Sequence, residues 1–140
     1  MALKLSTTLA DAKLAAVRTQ CNSGFIRIYS GTEPATADTA LSGNTLLAEL
    51  TFGATSFGAA GASGNDRVMS ANTIGAEDAA LADGTATFFR AIQSGGTTVV
   101  FQGKVGVTGD ATAQLTLTST NIVQTGVVSI SSMTYTQPVT

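Results

Sequence analysis

Chemistry in this chain has to come from a small set of reactive side chains. There is no histidine, which removes the usual general base near neutral pH and every Ser-His-Asp or Cys-His arrangement with it. Cys21 is the single cysteine, so the chain forms no internal disulfide, and structural zinc, which takes four nitrogen or sulfur ligands, is out of reach. The thiol reads as a small buried hydrophobe rather than a nucleophile. Glu77, Asp78 and Asp83 are the one local carboxylate cluster. Their spacing lacks the every-second-residue pattern of a calcium loop and reads as a solvated acidic loop. Gly53, Gly58, Gly61 and Gly64 are not followed by the Lys-Ser/Thr pair of a phosphate-cradling loop, so the stretch reads as flexible chain. Arg90 falls among Phe88 and Ile92 on an apolar face. It is either a ligand for a partner's carboxylate, or it pairs with an internal carboxylate or reaches the edge of the fold. Tyr29 and Tyr135, in a chain without tryptophan, make a poor stacking platform for sugars or bases. These residues predict no enzyme, no metal and no cofactor.

Composition narrows the partners. With 140 residues and 44% hydrophobic content the chain supports one domain, residues 1–140, with a core that needs no staples. Only 11% of residues are charged, about half the usual share, and a surface so poor in charge suggests that something covers it. The net charge is -2 and the seven lysines and arginines are dispersed, which argues against nucleic acid. No run approaches the ~20 apolar residues of a membrane span, and no charged segment followed by an apolar one opens the chain. The expectation is therefore a protein made in the cytoplasm, with no membrane partner.

The elements that must position these residues are mostly strands. TATFFRAIQ and TTVVFQGKV, separated by Ser94, Gly95 and Gly96, are rich in β-branched and aromatic residues and read as a hairpin. Its greasy face is expected to carry Ala86, Phe88 and Ile92 on one strand and Val99, Phe101 and Val105 on the other. Further strands are predicted at Gly24–Ser30, Thr45–Phe52, Arg67–Ala71, Ala113–Thr120 and Val127–Thr136. In the second of these Leu46, Ala48, Leu50 and Phe52 point inward. Ala2–Leu5 reads as a short strand or an arm lying on a partner. A helix is predicted from about Thr8 to Gln20, capped by Ser6, Thr7 and Thr8, with Ala10, Leu14, Val17 and Cys21 as its apolar stripe. Asn22, Ser23 and Gly24 end it, Asn and Gly being the residues that tolerate the left-handed conformation. Gly31–Asn44 and Gly53–Asp66 are predicted loops, the second mobile, and Asn72–Gly84 carries at most a turn of helix. The pattern is mainly β: a jelly roll or related β-sandwich of about eight strands with one N-terminal helix.

Four runs, IYSGTEPATADTALSGNTLLAELTF (28–52), SFGAA (56–60), GTATFFR (84–90) and GGTTVVFQGKVG (95–106), together resemble the capsid cement, or decoration, proteins of tailed phages. The resemblance implies a jelly-roll sandwich that self-associates as a dimer. It also implies attachment to the outer surface of a virion shell built from major capsid proteins of the HK97-like fold, with assembly in the host cytoplasm. It implies no functional residue. The N-terminal helix is an addition that a plain jelly roll does not require, and the tight hairpin at Ser94–Gly96 forces two consecutive strands into one sheet, which constrains the strand labels. A tail-associated or adhesin-type binding module is the alternative class. For the self or capsid interface the chain ends supply the candidates: Leu3 and Leu5 on one face of the N-terminal segment, Met133 and Tyr135 on one face of the last strand. Chain ends order by docking against something, and a strand edge with few charges pairs readily with another copy. The same four residues could instead cap the protein's own core.

Overall fold

The computed structural model describes residues 3–139. The chain is mainly β, a sandwich with one N-terminal helix. The helix α1 (Thr7–Cys21) runs one residue further at each end than its spacing predicts. Ser6 caps it, its Oγ accepting the Leu9 N–H at 3.1 Å. Ala10, Leu14 and Cys21 are buried and Val17 packs beside them, so the helical stripe is the inward face. Burying a leucine such as Leu14 stabilises by about 1.5–3 kcal/mol.

Ten strands follow: β1 (Phe25–Tyr29), β2 (Leu46–Thr51), β3 (Gly61–Ser63), β4 (Asp66–Ser70), β5 (Gly84–Thr85), β6 (Phe88–Ile92), β7 (Val99–Val107), β8 (Leu115–Leu117), β9 (Asn121–Ile122) and β10 (Ile130–Gln137). Eight form one sheet in the order β2-β1-β6-β7-β8-β10-β4-β3, while β5 and β9 pair separately. Every neighbouring pair in the large sheet is antiparallel except β7 and β8, where Val105, Gly106 and Val107 face Leu115, Thr116 and Leu117 in parallel. That pair divides the sheet into two halves over one core. Phe89 on β6, Phe101 on β7 and Tyr135 on β10 join the halves edge to face, with ring centroids 5.8 and 4.9 Å apart.

A parallel pair ordinarily needs about a dozen residues or more to return the chain. Here Thr108–Gln114 suffices, because β8 starts beside Lys104 rather than at the far end of β7: the Gln114 N–H donates to the Lys104 carbonyl and the Lys104 N–H to Gln114 Oε1. Gly109 takes φ +96°. Asp110 Oδ1 accepts from the Thr112 N–H and hydroxyl at 2.9 and 2.6 Å, and Oδ2 from Lys104 Nζ at 3.1 Å. These bonds hold the Asp110 carboxyl at a pKa of about 2, the Thr112 hydroxyl and N–H contributing most. The return is so tight that a Cβ on Gly106 would lie 2.5 Å from Asp110 Oδ2.

The central hairpin forms as predicted, β6 against β7, but its inward row differs. Phe89 and Ala91 join the core with Ile26, Ile28, Ala48 and Leu50, while Phe88 and Ile92 lie outside that cluster. On β7, Phe101 and Val105 face the core as expected. All five β6 residues are buried, so alternation of large apolar groups could not say which face was inner. Leu47 is buried as well as Ala48 and Leu50, because the register of β1 and β2 slips between Ile28 and Tyr29.

One predicted loop is corrected. Gly53–Asp66 is tied down rather than loose: Ser56 and Phe57 are buried, Phe57 meets Phe52 at 5.6 Å, and Gly61–Ser63 forms a hairpin with β4. Asn72–Gly84, expected to carry at most a turn of helix, has none. It is pinned instead by backbone pairing of Glu77 with Val128 and by burial of Ala80. Of the two forms expected for the N-terminal segment, the strand is corrected and the arm is left. Ala2 lies outside the described residues, and Leu3–Leu5 is not a strand, although the Leu5 N–H donates to the Val139 carbonyl at 2.8 Å and so brings the chain ends together.

Candidate interaction surfaces

The groups best suited to chemistry are engaged in holding the fold. Arg90, 6% exposed, stands on the outer face of β6 beneath the Gly31–Asn44 loop. Its Nη2 donates to the Thr39 carbonyl at 2.6 Å and the Thr36 carbonyl at 3.5 Å, and its Nε to Gln102 Oε1 at 3.2 Å. Gln102 Nε2 in turn donates to the Pro34 carbonyl at 2.7 Å. Among the described residues Arg90 has no carboxylate partner. The internal ion pair open to it in the sequence is replaced by carbonyl dipoles, which suit a planar fork of donors. At the neck of the loop, Asn44 Nδ2 donates to the Ser30 and Thr32 carbonyls. The same outer face buries Tyr29 stacked on Phe88 at 5.2 Å. This long loop is thus a fastened cover.

The helix C-terminus is fastened in the same way. The Ser56 N–H donates to Asn22 Oδ1 at 2.9 Å, and the Ser56 hydroxyl lies 2.9 Å from the Arg18 carbonyl and 3.0 Å from Asn22 Oδ1. Ser23, not Asn22 or Gly24, takes the left-handed backbone, with φ 56°. Gly24 is needed for a different reason: a Cβ there would sit 2.1 Å from the Ile92 carbonyl oxygen. Cys21 is fully buried, and burial pushes its thiol up to about 12. Of the acidic cluster, Asp83 Oδ1 accepts the Gln124 N–H at 2.6 Å and Glu77 Oε1 the Ala79 N–H. Among the described residues no three metal-ligating side chains converge.

The four candidate interface residues separate. Met133 is 2% exposed and belongs to the core. Tyr135 is half-buried against Phe101, and burial raises its hydroxyl pKa, with Cys21 adding to the rise. Both lie on the core-facing side of β10, an interior strand of the sheet between β8 and β4, so Met133 takes the core-capping reading and Tyr135 packs half-buried on that core. Leu5 is half-buried and Leu3 is 87% exposed.

Apart from Leu41 on the Gly31–Asn44 loop and Val107 at the close of β7, the exposed large apolar side chains among the described residues collect instead at the two ends of the strands. β6 and β10 run in the same direction, since the pairs linking them through β7 and β8 are antiparallel, parallel and antiparallel. At their starts lie the 77–84 and Ser119–Ser129 segments, which expose Leu81, Val123 and Val127, whereas Asn72 and Gly75, bonded to Ser56 and Thr51, are still at the helix end. The two segments are laced together: Thr125 N–H to Ala80 carbonyl, Ala80 N–H to Gly126 carbonyl, and Gln124 Nε2 to Leu81 carbonyl. A groove of about 220 Å³, lined by Leu117, Ile122, Val123, Val127 and Val128 among others, opens there. At the ends of β6 and β10 lies the helix, with Gly24 against Ile92, Asp11 on Arg67 at 2.6 and 3.0 Å, and Leu5 on Val139. Leu3 and Leu9 are exposed on that side. Sequence reasoning missed Val123 and Leu81. The available signal was NIVQTGVV, in which valines flank a polar Gly turn that no buried strand needs.

Comparison with known proteins adds no relative: no family model matches the chain, and no curated protein or solved structure matches it significantly.

Proposed function

We propose that this chain is a structural virion protein, a cement subunit that binds the outside of a tailed-phage capsid and stabilises the shell of major capsid proteins against the pressure of packaged DNA. One observation carries the reading. The groups with chemical potential (Arg90, Asp110, Asn22, Ser56 and Cys21) are engaged in bracing the fold or buried within it, and apolar side chains are left exposed at both ends of the strands. A subunit that clamps neighbours needs a stiff shape and several modest apolar contacts, and it needs no reaction. The four runs that resemble decoration proteins support the same role. The test is a comparison of shells from the encoding phage with and without the purified protein. Added protein is expected to cosediment with expanded shells and raise their rupture temperature. Shells equally heat-stable without it, or protein that binds host cells or glycans and not shells, would reject the proposal in favour of an adhesin-type module.

A further inference from the structure

The two ends of the strands differ in charge as well as in position. Three ion pairs, Arg27–Glu49, Arg67–Asp11 and Lys104–Asp110, account for three of the seven cations, and Arg90 is buried. Lys4, Lys13 and Arg18 are left without a carboxylate partner among the described residues, and all three sit on the helix or the arm before it. They share that side with the exposed Leu3 and Leu9. At the opposite end Glu77, Asp78 and Asp83 border the Leu81, Val123 and Val127 patch, with no ion pair among the described residues. Asp66, at the start of β4, is the single unpaired carboxylate near the helix among the described residues.

The acid-fringed patch is also held in shape. Thr125 takes φ 67°, a conformation that a β-branched residue adopts only under strain. Gly126 N–H to the Val123 carbonyl closes the turn, and the two bonds to Ala80 fasten it to the neighbouring loop. Val123, at 60% exposure, and Val127, at 69%, are therefore presented outward by a fixed turn.

We propose that copies of this chain associate head to tail, the helix end of one copy, with Leu3, Leu9, Lys4 and Lys13, docking on the Val123 and Val127 patch of the next. A symmetric contact would set lysines against lysines at one end, or Glu77, Asp78 and Asp83 against themselves at the other. Only the unlike ends complement each other in charge while burying apolar surface on both sides. Because the ends lie at opposite poles of the strands, each copy keeps one free end after docking, and association proceeds past the dimer to a ring or a chain, in place of the dimer that the resemblance to decoration proteins implies. This contact stands independently of the capsid reading, since it needs no other protein.

Sedimentation velocity of the full chain over a range of concentrations tests it. The parent is expected to sediment faster as concentration rises, past the value of a dimer. Raising salt from about 0.05 to 0.5 M should weaken association several-fold, as screened charges require. Val127→Asp and Leu9→Asp each spoil one end at an exposed position, so each alone is expected to remain monomeric while their equimolar mixture forms a dimer and stops there. Circular dichroism melting checks that both fold; if either does not, Val127→Ser and Leu9→Ser replace them. A parent that stays monomeric at millimolar concentration overturns the proposal. So does a parent that stops at a dimer, or a mixture of the two variants that stays monomeric.

Discussion

Replacing Asn22 by alanine tests the way the helix is joined to the sheet. Asn22 Oδ1 takes both the N–H and, at 3.0 Å, the hydroxyl of Ser56, a residue only 1% exposed. In Asn22→Ala the hydroxyl still has the Arg18 carbonyl at 2.9 Å. The Ser56 N–H has nothing else to donate to, and an orphaned buried donor costs about 1–3 kcal/mol. The helix keeps its last turn, because the residue 22 N–H to Arg18 carbonyl bond is made by backbone. The expected loss is therefore about 2 kcal/mol, which for a chain of this size lowers the melting temperature by roughly 6–8 °C. Asn22→Asp keeps the acceptor but puts a negative charge at the helix C-terminus, a penalty of about 0.3–1 kcal/mol. Urea and thermal unfolding followed by circular dichroism should rank parent above Asp above Ala. An alanine variant within about 0.5 kcal/mol of the parent, the range of ordinary surface changes, would refute the reasoning.

Other perturbations follow from the same contacts. Gly24→Ala forces a methyl group to within 2.1 Å of the Ile92 carbonyl oxygen; the expected destabilisation by thermal melting is about 3 kcal/mol, the upper end for an overpacked site, because the obstructing atoms, on Ile92 and Cys21, are backbone and cannot swing aside. Arg90→Ala removes the donors that hold Thr39, Thr36 and Gln102, and hydrogen–deuterium exchange should show faster exchange confined to Gly31–Asn44 together with a loss of about 2–4 kcal/mol, charged hydrogen bonds contributing about 1.5–3 kcal/mol each before the loop relaxes. Asp110 titrates near 2 in the folded chain and near 3.8 when free; the folded state favours its ionised form, so its contribution is full above about pH 4 and lost as pH falls toward 2, and Asp110→Asn should flatten the acid limb of the pH–stability curve there. At the alkaline limb the Cys21 thiol ionises near 9 unfolded but near 12 folded, so stability falls as pH rises above 9, and Cys21→Ala should lessen that fall.

What could be read from the residues was local. Ser6, the Ala10–Leu14–Val17–Cys21 stripe and the SGG turn carry their reasons in neighbouring positions, and they form much as the spacing predicts. The rest depends on partners distant in sequence. Phe88 and Phe89 are equally hydrophobic, and only β1, β7 and the Gly31–Asn44 loop decide which one meets the core. Gly53–Asp66 has the composition of a linker, yet Asn22 and Ala71 anchor Ser56 and Phe57 from far along the chain. β10 lies between β4 and β8 with Met133 on its core-facing side, and nothing near Met133 in sequence announces two neighbours rather than an edge. The surfaces at the strand ends were hidden for a related reason. Leu9, Leu81, Val123 and Val127 are unremarkable hydrophobes until the fold leaves them outside.

The proposed decoration role is tested most directly by locating the protein on virions of a phage that carries its gene, with a specific label imaged by electron microscopy. The proposal predicts label spread over the outer face of the capsid shell at regular positions, and none on the tail. Label confined to the tail or its fibres, or absent from mature particles, would contradict it.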